Sequence, residues 1–116
     1  YYVAQLVNGV VLGTGNLSEY TMGYFTKWGD GGYDYDPIIK YVKSEVYILA
    51  KRIGVIDEIL NKKPSADLWD GQSDEEEMNI SYYDIDNYIR FPFECDINVK
   101  LKVESAIKRS EHKKRK

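Results

Sequence analysis

The stretch VVLGTGNLSEYTMGYFTKWGDGG, residues 10–32, decides how this chain is read. Val10-Val11-Leu12 is short, rich in β-branched residues and bounded by Gly9 and Gly13, which predicts a buried strand. Gly13-Thr14-Gly15 follows. Asn16 or Ser18 can then cap a helix running to about Trp28, with Glu19 in its first turn. Asp30-Gly31-Gly32 breaks that helix. A glycine-rich turn between a strand and a helix is where α/β proteins seat nucleotides, at the carboxyl ends of their strands. It is also an ordinary tight turn. Neither G-x-x-x-x-G-K-[ST] nor a full G-x-G-x-x-G occurs, so the motif supports neither a P-loop NTPase nor a Rossmann dehydrogenase.

Upstream, YYVAQLVNG reads as the last turns of a helix closed by Asn8-Gly9, as if the chain began inside an element of a longer protein. Downstream, Pro37 marks a loop. Val42, Val46, Leu49, Ala50 and Ile53 fall at helical spacing, and Gly54 ends that helix. Ile56 to Leu60 reads as a short apolar turn. NKKPSADLWDGQSDEEEMNI reads as a long polar loop with Pro64 and Gly71. Ser81 with Asp84 resembles a capping box ahead of Ile85 and Ile89, and Pro92 stops the helix they predict. Asp96 begins a last helix with Val99, Val103, Ala106 and Ile107 facing inward. One strand cannot make a sheet, so its partners are expected in chain outside these residues.

Composition bounds the function classes. A chain of 116 residues, 43% hydrophobic and 30% charged, suits one globular domain or part of one. Its apolar stretches fall far below the roughly 18 residues of a membrane helix. No basic-then-apolar leader opens it, and the single cysteine, Cys95, permits no internal disulfide, so the expected compartment is the cytoplasm. The net charge of −3 conceals two blocks: an acidic run between Asp67 and Glu77, and six Lys or Arg from Lys108 to Lys116. Such a tail binds nucleic acid or a phosphorylated ligand, or is simply a solvated helix end.

Taken singly, each candidate residue has a plain alternative. Glu19 is either a macrodipole partner or an oxygen ligand for Mg²⁺. Lys27, Asp30 and Asp34 read equally as surface charges. Lys43 stands near a helix start, where the macrodipole disfavours a cation unless an anion lies nearby. His112 is the only histidine, and it sits in the basic tail.

The order of the motifs adds to this. GTGNLSE, GYFTKWGDGG, the lysine of YVKSEVYILAKRIG, KKPSADLWDGQSDEEEM, SYYDIDNYI and SEHKKRK succeed one another along the whole chain. Together they resemble the carboxyl-terminal half of the NAD synthetases, members of the PP-loop ATP pyrophosphatases. The resemblance implies an α/β fold with a parallel sheet flanked by helices, of the adenine-nucleotide alpha-hydrolase-like class. Of that fold this part would be mostly α-helical, with the buried strand near residues 9–13. It implies ATP-dependent amidation of deamido-NAD: the nicotinate carboxylate is adenylated, pyrophosphate leaves, and ammonia displaces AMP. By the same resemblance Thr14, Lys43 and Ser65 contact ATP, and Glu19 binds Mg²⁺. Lys27, Asp34, His112 and Lys113 contact deamido-NAD, and Asp30 is the acidic residue of the ammonia pocket. A homodimer is implied, and Thr26-Lys27 resembles the ammonia-dependent branch. The family's Ser-Gly-Gly-x-Asp-Ser loop does not occur in these residues and is expected upstream. Two rivals stand beside this reading: another PP-loop adenylating ligase, and a non-enzymatic module that binds nucleic acid through its basic tail.

Overall fold

The computed structural model describes residues 1–115. Among these described residues seven helices follow in order: α1 (Tyr2–Val7), α2 (Leu17–Met22), α3 (Lys43–Arg52), α4 (Asp57–Leu60), α5 (Asp74–Met78), α6 (Tyr82–Arg90) and α7 (Ile97–Lys114).

The starts and stops are set by local chemistry. Asn8 closes α1 in the left-handed region at φ 51°. Asn16 caps α2 in a full capping box: its side chain accepts the Glu19 N–H at 3.0 Å, and Glu19 Oε2 accepts the Asn16 N–H at 3.0 Å. The helix ends at Met22, six residues before the expected Trp28. Gly23 is the reason: it turns left-handed at φ 67°, and a Cβ there would lie 2.0 Å from Ser110 Cβ on α7. Gly54, at φ 81°, follows α3 as its composition predicts. Ser81 Oγ accepts the Asp84 N–H at 3.1 Å to open α6, and Asp96 accepts the Asn98 N–H at 2.8 Å to open α7. The stretch read as a polar loop contains α5, and the apolar turn before it is the short helix α4.

The buried strand expected near residues 9–13 is not confirmed. Among the described residues there is no strand, only one isolated parallel bridge between Leu12 and Tyr35. Val10 and Leu12 are 69% and 58% exposed. An extended β-branched run becomes a buried strand only where neighbours supply a ladder. Here residues 34 and 35 are the neighbours that bond it, with Asp34 N–H donating to the Val11 carbonyl at 2.9 Å and Gly13 N–H to the Tyr35 carbonyl at 2.8 Å.

The core lies where α2, α6 and α7 meet: Met22, Ile80, Tyr82, Ile85, Val103 and Ala106, with Val99 and Ile107 half-buried against it. The inward face expected for α7 is thereby met. A second, polar contact joins α3 to this body. Asp86 of α6 is buried; it accepts the Ser18 hydroxyl at 2.5 Å and the Ser44 N–H at 2.8 Å. Ser18 Oγ in turn accepts the Lys43 N–H at 3.0 Å. One carboxylate thus joins the starts of α2 and α3, which fixes Glu19 and Lys43 opposite each other.

Candidate nucleotide-binding site

Glu19 and Lys43 form the centre of the site. Lys43 Nζ donates to Glu19 Oε1 at 3.1 Å, each side chain 18% exposed, and the ammonium lies 4.7 Å above the Tyr82 ring. An anion therefore does stand beside the lysine at the helix start. The Tyr82 hydroxyl donates to Asp74 Oδ2 at 2.9 Å and lies 3.4 Å from Glu19 Oε1. Burial, followed by the Glu19 and Asp74 charges, pushes its pKa far above the ordinary tyrosine value, so it stays a neutral donor.

This pair lies in the wall of a cavity of about 410 Å³, lined also by Thr14, Asp30, Ser65 and Asp74. Five residues that the sequence scatters between positions 14 and 65 thus share one concavity. Ser65 Oγ accepts the Asp67 N–H at 3.0 Å, which steadies the loop carrying it. Asp36 is buried and holds the glycine-rich turn from behind, accepting the Gly15 N–H at 3.1 Å. A Cβ on Gly13 would lie 2.7 Å from that carboxylate and from the Tyr33 ring, so the turn needs glycine to approach them.

A second cavity, again of about 410 Å³, shares Gly15, Glu19 and Asp30 with the first. Tyr20, Phe25, Lys113 and Lys114 line its other side. Lys113 Nζ donates to the Gly23 and Phe25 carbonyls at 2.9 and 2.8 Å, and Lys114 Nζ to the Thr21 carbonyl at 3.0 Å. Lys113 and Lys114 of the basic tail therefore lie at the end of α7, fastened to the end of α2. Asp30 Oδ1 accepts the Thr26 N–H at 2.8 Å and faces both cavities.

The deamido-NAD group of candidates divides. Lys113 is in the second cavity; Lys27, Asp34 and His112 line neither. Lys27 Nζ donates to the His112 carbonyl at 2.8 Å and lies 5.0 Å over Trp28. Asp34 accepts the Val11 N–H at 2.8 Å and the Tyr1 hydroxyl at 3.2 Å. His112 Nδ1 lies 3.1 Å from the Arg109 carbonyl.

Sequence reasoning missed Tyr82, Asp74, Asp86 and Asp36. Asp74 belongs to the acidic run taken as a solvated loop end, yet it is 5% exposed and its Oδ1 has no hydrogen-bond partner among the described residues. The visible signal was Ser73-Asp74 opening a helix.

The profile of the family described as NAD synthase matches residues 1–116, the whole chain. The chain belongs to the NAD synthase family. It is 47% identical over 128 residues to the NH(3)-dependent NAD(+) synthetase of Pyrococcus horikoshii, covering 99% of this chain and 50% of that protein. The solved structure of NMN synthetase from Francisella tularensis is similar at a TM-score of 0.94 and 40% identity, over 100% of this chain and 48% of that one. The NAD+ synthetase of Burkholderia pseudomallei is similar at a TM-score of 0.71 and 35% identity, over 98% and 42%. The chain thus spans about half the length of the NAD synthase family relatives it matches.

Proposed function

We propose that the complete protein carrying this chain is an ammonia-dependent NAD synthetase that amidates deamido-NAD with ATP in the cytoplasm. The observation that carries this reading is the shared cavity of Thr14, Glu19, Asp30, Lys43 and Ser65. The chain supplies one half of the site, and the other half of the protein supplies the pyrophosphate cradle. Two copies of the complete protein associate.

In this reading ATP occupies the first cavity, with Thr14, Lys43 and Ser65 against it. Lys43 offsets phosphate charge from a fixed position, because Asp86 and Ser18 hold its backbone. The nicotinate substrate enters the second cavity and presents its carboxylate where the two meet, beside Glu19 and Asp30. Asp30 attracts ammonium there and accepts a proton as the nitrogen attacks the adenylated carboxylate. Pyrophosphate leaves as the carboxylate is adenylated, and AMP leaves as the carbon–nitrogen bond forms.

Among the described residues no three His, Cys, Asp or Glu side chains cluster to hold a metal. Mg²⁺ in nucleotide sites takes one or two carboxylates together with substrate phosphates, so Glu19, at the cavity wall, fits as a partial ligand. Asp74, whose buried Oδ1 has no hydrogen-bond partner among the described residues, lines the same cavity. Glu19 would hold the ion beside the triphosphate, where it would supply positive charge against the negative charge developing on the phosphates.

The test is to supply the complete protein with deamido-NAD, ATP, Mg²⁺ and ammonium. NAD and AMP should accumulate together; ADP, or no NAD, would refute the reading. A second reading is amidation of nicotinate mononucleotide to NMN. It is favoured by the TM-score of 0.94 to the Francisella NMN synthetase, against 0.71 for the Burkholderia enzyme. The ratio of kcat/KM values for the two nicotinate substrates separates them.

A further inference from the structure

Most charged groups around the second cavity are already matched by donors. Glu19 holds Lys43 and the Asn16 N–H, Asp30 holds the Thr26 N–H, and Asp36 holds the Gly15 and Ile38 N–H groups. The two ammonium groups on the opposite side are not matched by anions. Among the described residues neither Lys113 nor Lys114 forms an ion pair with a carboxylate. Their partners are carbonyl oxygens and aromatic faces: Lys113 lies 5.6 Å over the Phe25 ring and Lys114 5.2 Å over the Tyr20 ring. Those two rings stack with centroids 6.0 Å apart and planes within 5°.

An ammonium carries three donors. Lys113 uses two on the Gly23 and Phe25 carbonyls, and Lys114 uses one on the Thr21 carbonyl. Beyond these, one N–H of Lys113 and two of Lys114 have no hydrogen-bond acceptor among the described residues, and both side chains line the same cavity. Half-burial pushes the Lys114 pKa below the ordinary lysine value, as expected for a cation drawn from water without a counter-charge. The carbonyl bonds also hold both side chains, so little rotamer freedom is left to lose on binding.

We propose that Lys114, beside Lys113, is a specificity-determining anion contact of the second cavity, donating to a phosphate group of the ligand held there. Lys27, which the resemblance would place on this ligand, is turned to the His112 carbonyl and Trp28, so Lys114 is the second cation that the cavity actually presents. The identity of the ligand as a nicotinate nucleotide rests on the function proposed above. The anion chemistry does not.

The test uses the complete protein and its Lys114→Gln and Lys114→Arg variants. The amide of Lys114→Gln keeps a neutral donor for the Thr21 carbonyl, and Lys114→Arg keeps the charge. Calorimetric titration with nicotinate mononucleotide should give a dissociation constant at least about tenfold weaker for Lys114→Gln, as for one lost charge-assisted hydrogen bond. Lys114→Arg should stay within about threefold. Nicotinate riboside, which lacks the phosphate, should bind all three proteins alike, and KM for ATP should not move. Mononucleotide binding that is equal in wild type and Lys114→Gln overturns the proposal, as does an equal loss for the riboside. Inorganic pyrophosphate, titrated with ATP saturating the first cavity, separates the two readings. A protein that makes no NAD but binds pyrophosphate in a Lys114-dependent way refutes the reaction and keeps the anion contact. Pyrophosphate binding indifferent to Lys114 removes the contact whatever the reaction.

Discussion

Replacing Asp86 with Ala should loosen the joint that sets the site. The carboxylate is 6% exposed and accepts two donors, the Ser18 hydroxyl at 2.5 Å and the Ser44 N–H at 2.8 Å. Ser18 is fully buried, so its hydroxyl would lose its acceptor with no water in reach, at about 1–3 kcal/mol. Ser44 is exposed and its N–H can turn to water, so its loss is only the net value of a hydrogen bond to a charged acceptor, about 1.5 kcal/mol. The sum is about 3 kcal/mol. Denaturant unfolding of the complete protein should show a lower midpoint at unchanged slope, which marks a change in stability rather than in the denatured state. KM for ATP should rise as well, because the Lys43 backbone rests on the same Ser18 oxygen. Ser18→Ala, which leaves Asp86 one donor, should cost less. A loss below about 1 kcal/mol with an unchanged KM would show that the α2–α3 joint is held by something else.

Three further outcomes are expected. Glu19→Gln should lower turnover at least about a hundredfold, a loss of several kcal/mol of metal-dependent charge stabilisation, while the melting curve barely moves because an amide oxygen still accepts the Asn16 N–H; near-normal turnover would make Glu19 a helix cap and nothing more. Gly23→Ala should destabilise by about 2–5 kcal/mol in chemical denaturation, combining a left-handed penalty at φ 67° with a clash 2.0 Å from Ser110 Cβ; a neutral result would mean α7 does not close on Gly23. The Arg90 hydrogen bond holds the Glu45 carboxyl below its ordinary value of 4.5, so that stabilisation is present above this value and lost as pH falls through the lower folded value. Arg90→Met should flatten the stability profile below about pH 4.5, by well under 1 kcal/mol since the pair is exposed, and leave neutral-pH activity unchanged.

What the sequence disclosed was what local chemistry decides. Asn16 with Glu19, Ser81 with Asp84, Asp96 and Gly54 each act within a few residues of themselves, and the helix limits they set were readable. The left-handed turn at Gly23 was not, since its necessity comes from Ser110 across the fold. Val10-Val11-Leu12 forms no strand among the described residues for a related reason: its burial depends on sheet partners that these residues do not contain. In the site, Thr14, Glu19, Lys43 and Ser65 were legible only through the order of their motifs, and the structure brings them to one cavity. Asp86 and Asp36 were illegible because a buried carboxylate holding backbone N–H groups has the same spelling as a surface one. Asp74 was hidden by the acidic residues around it.

ATP is expected in the first cavity. A crystal structure of the complete protein with a non-hydrolysable ATP analogue and Mg²⁺ tests this most directly. It should show the nucleotide against Thr14, Lys43 and Ser65, with the metal at Glu19. A nucleotide seated elsewhere, with this cavity left open, would contradict the account.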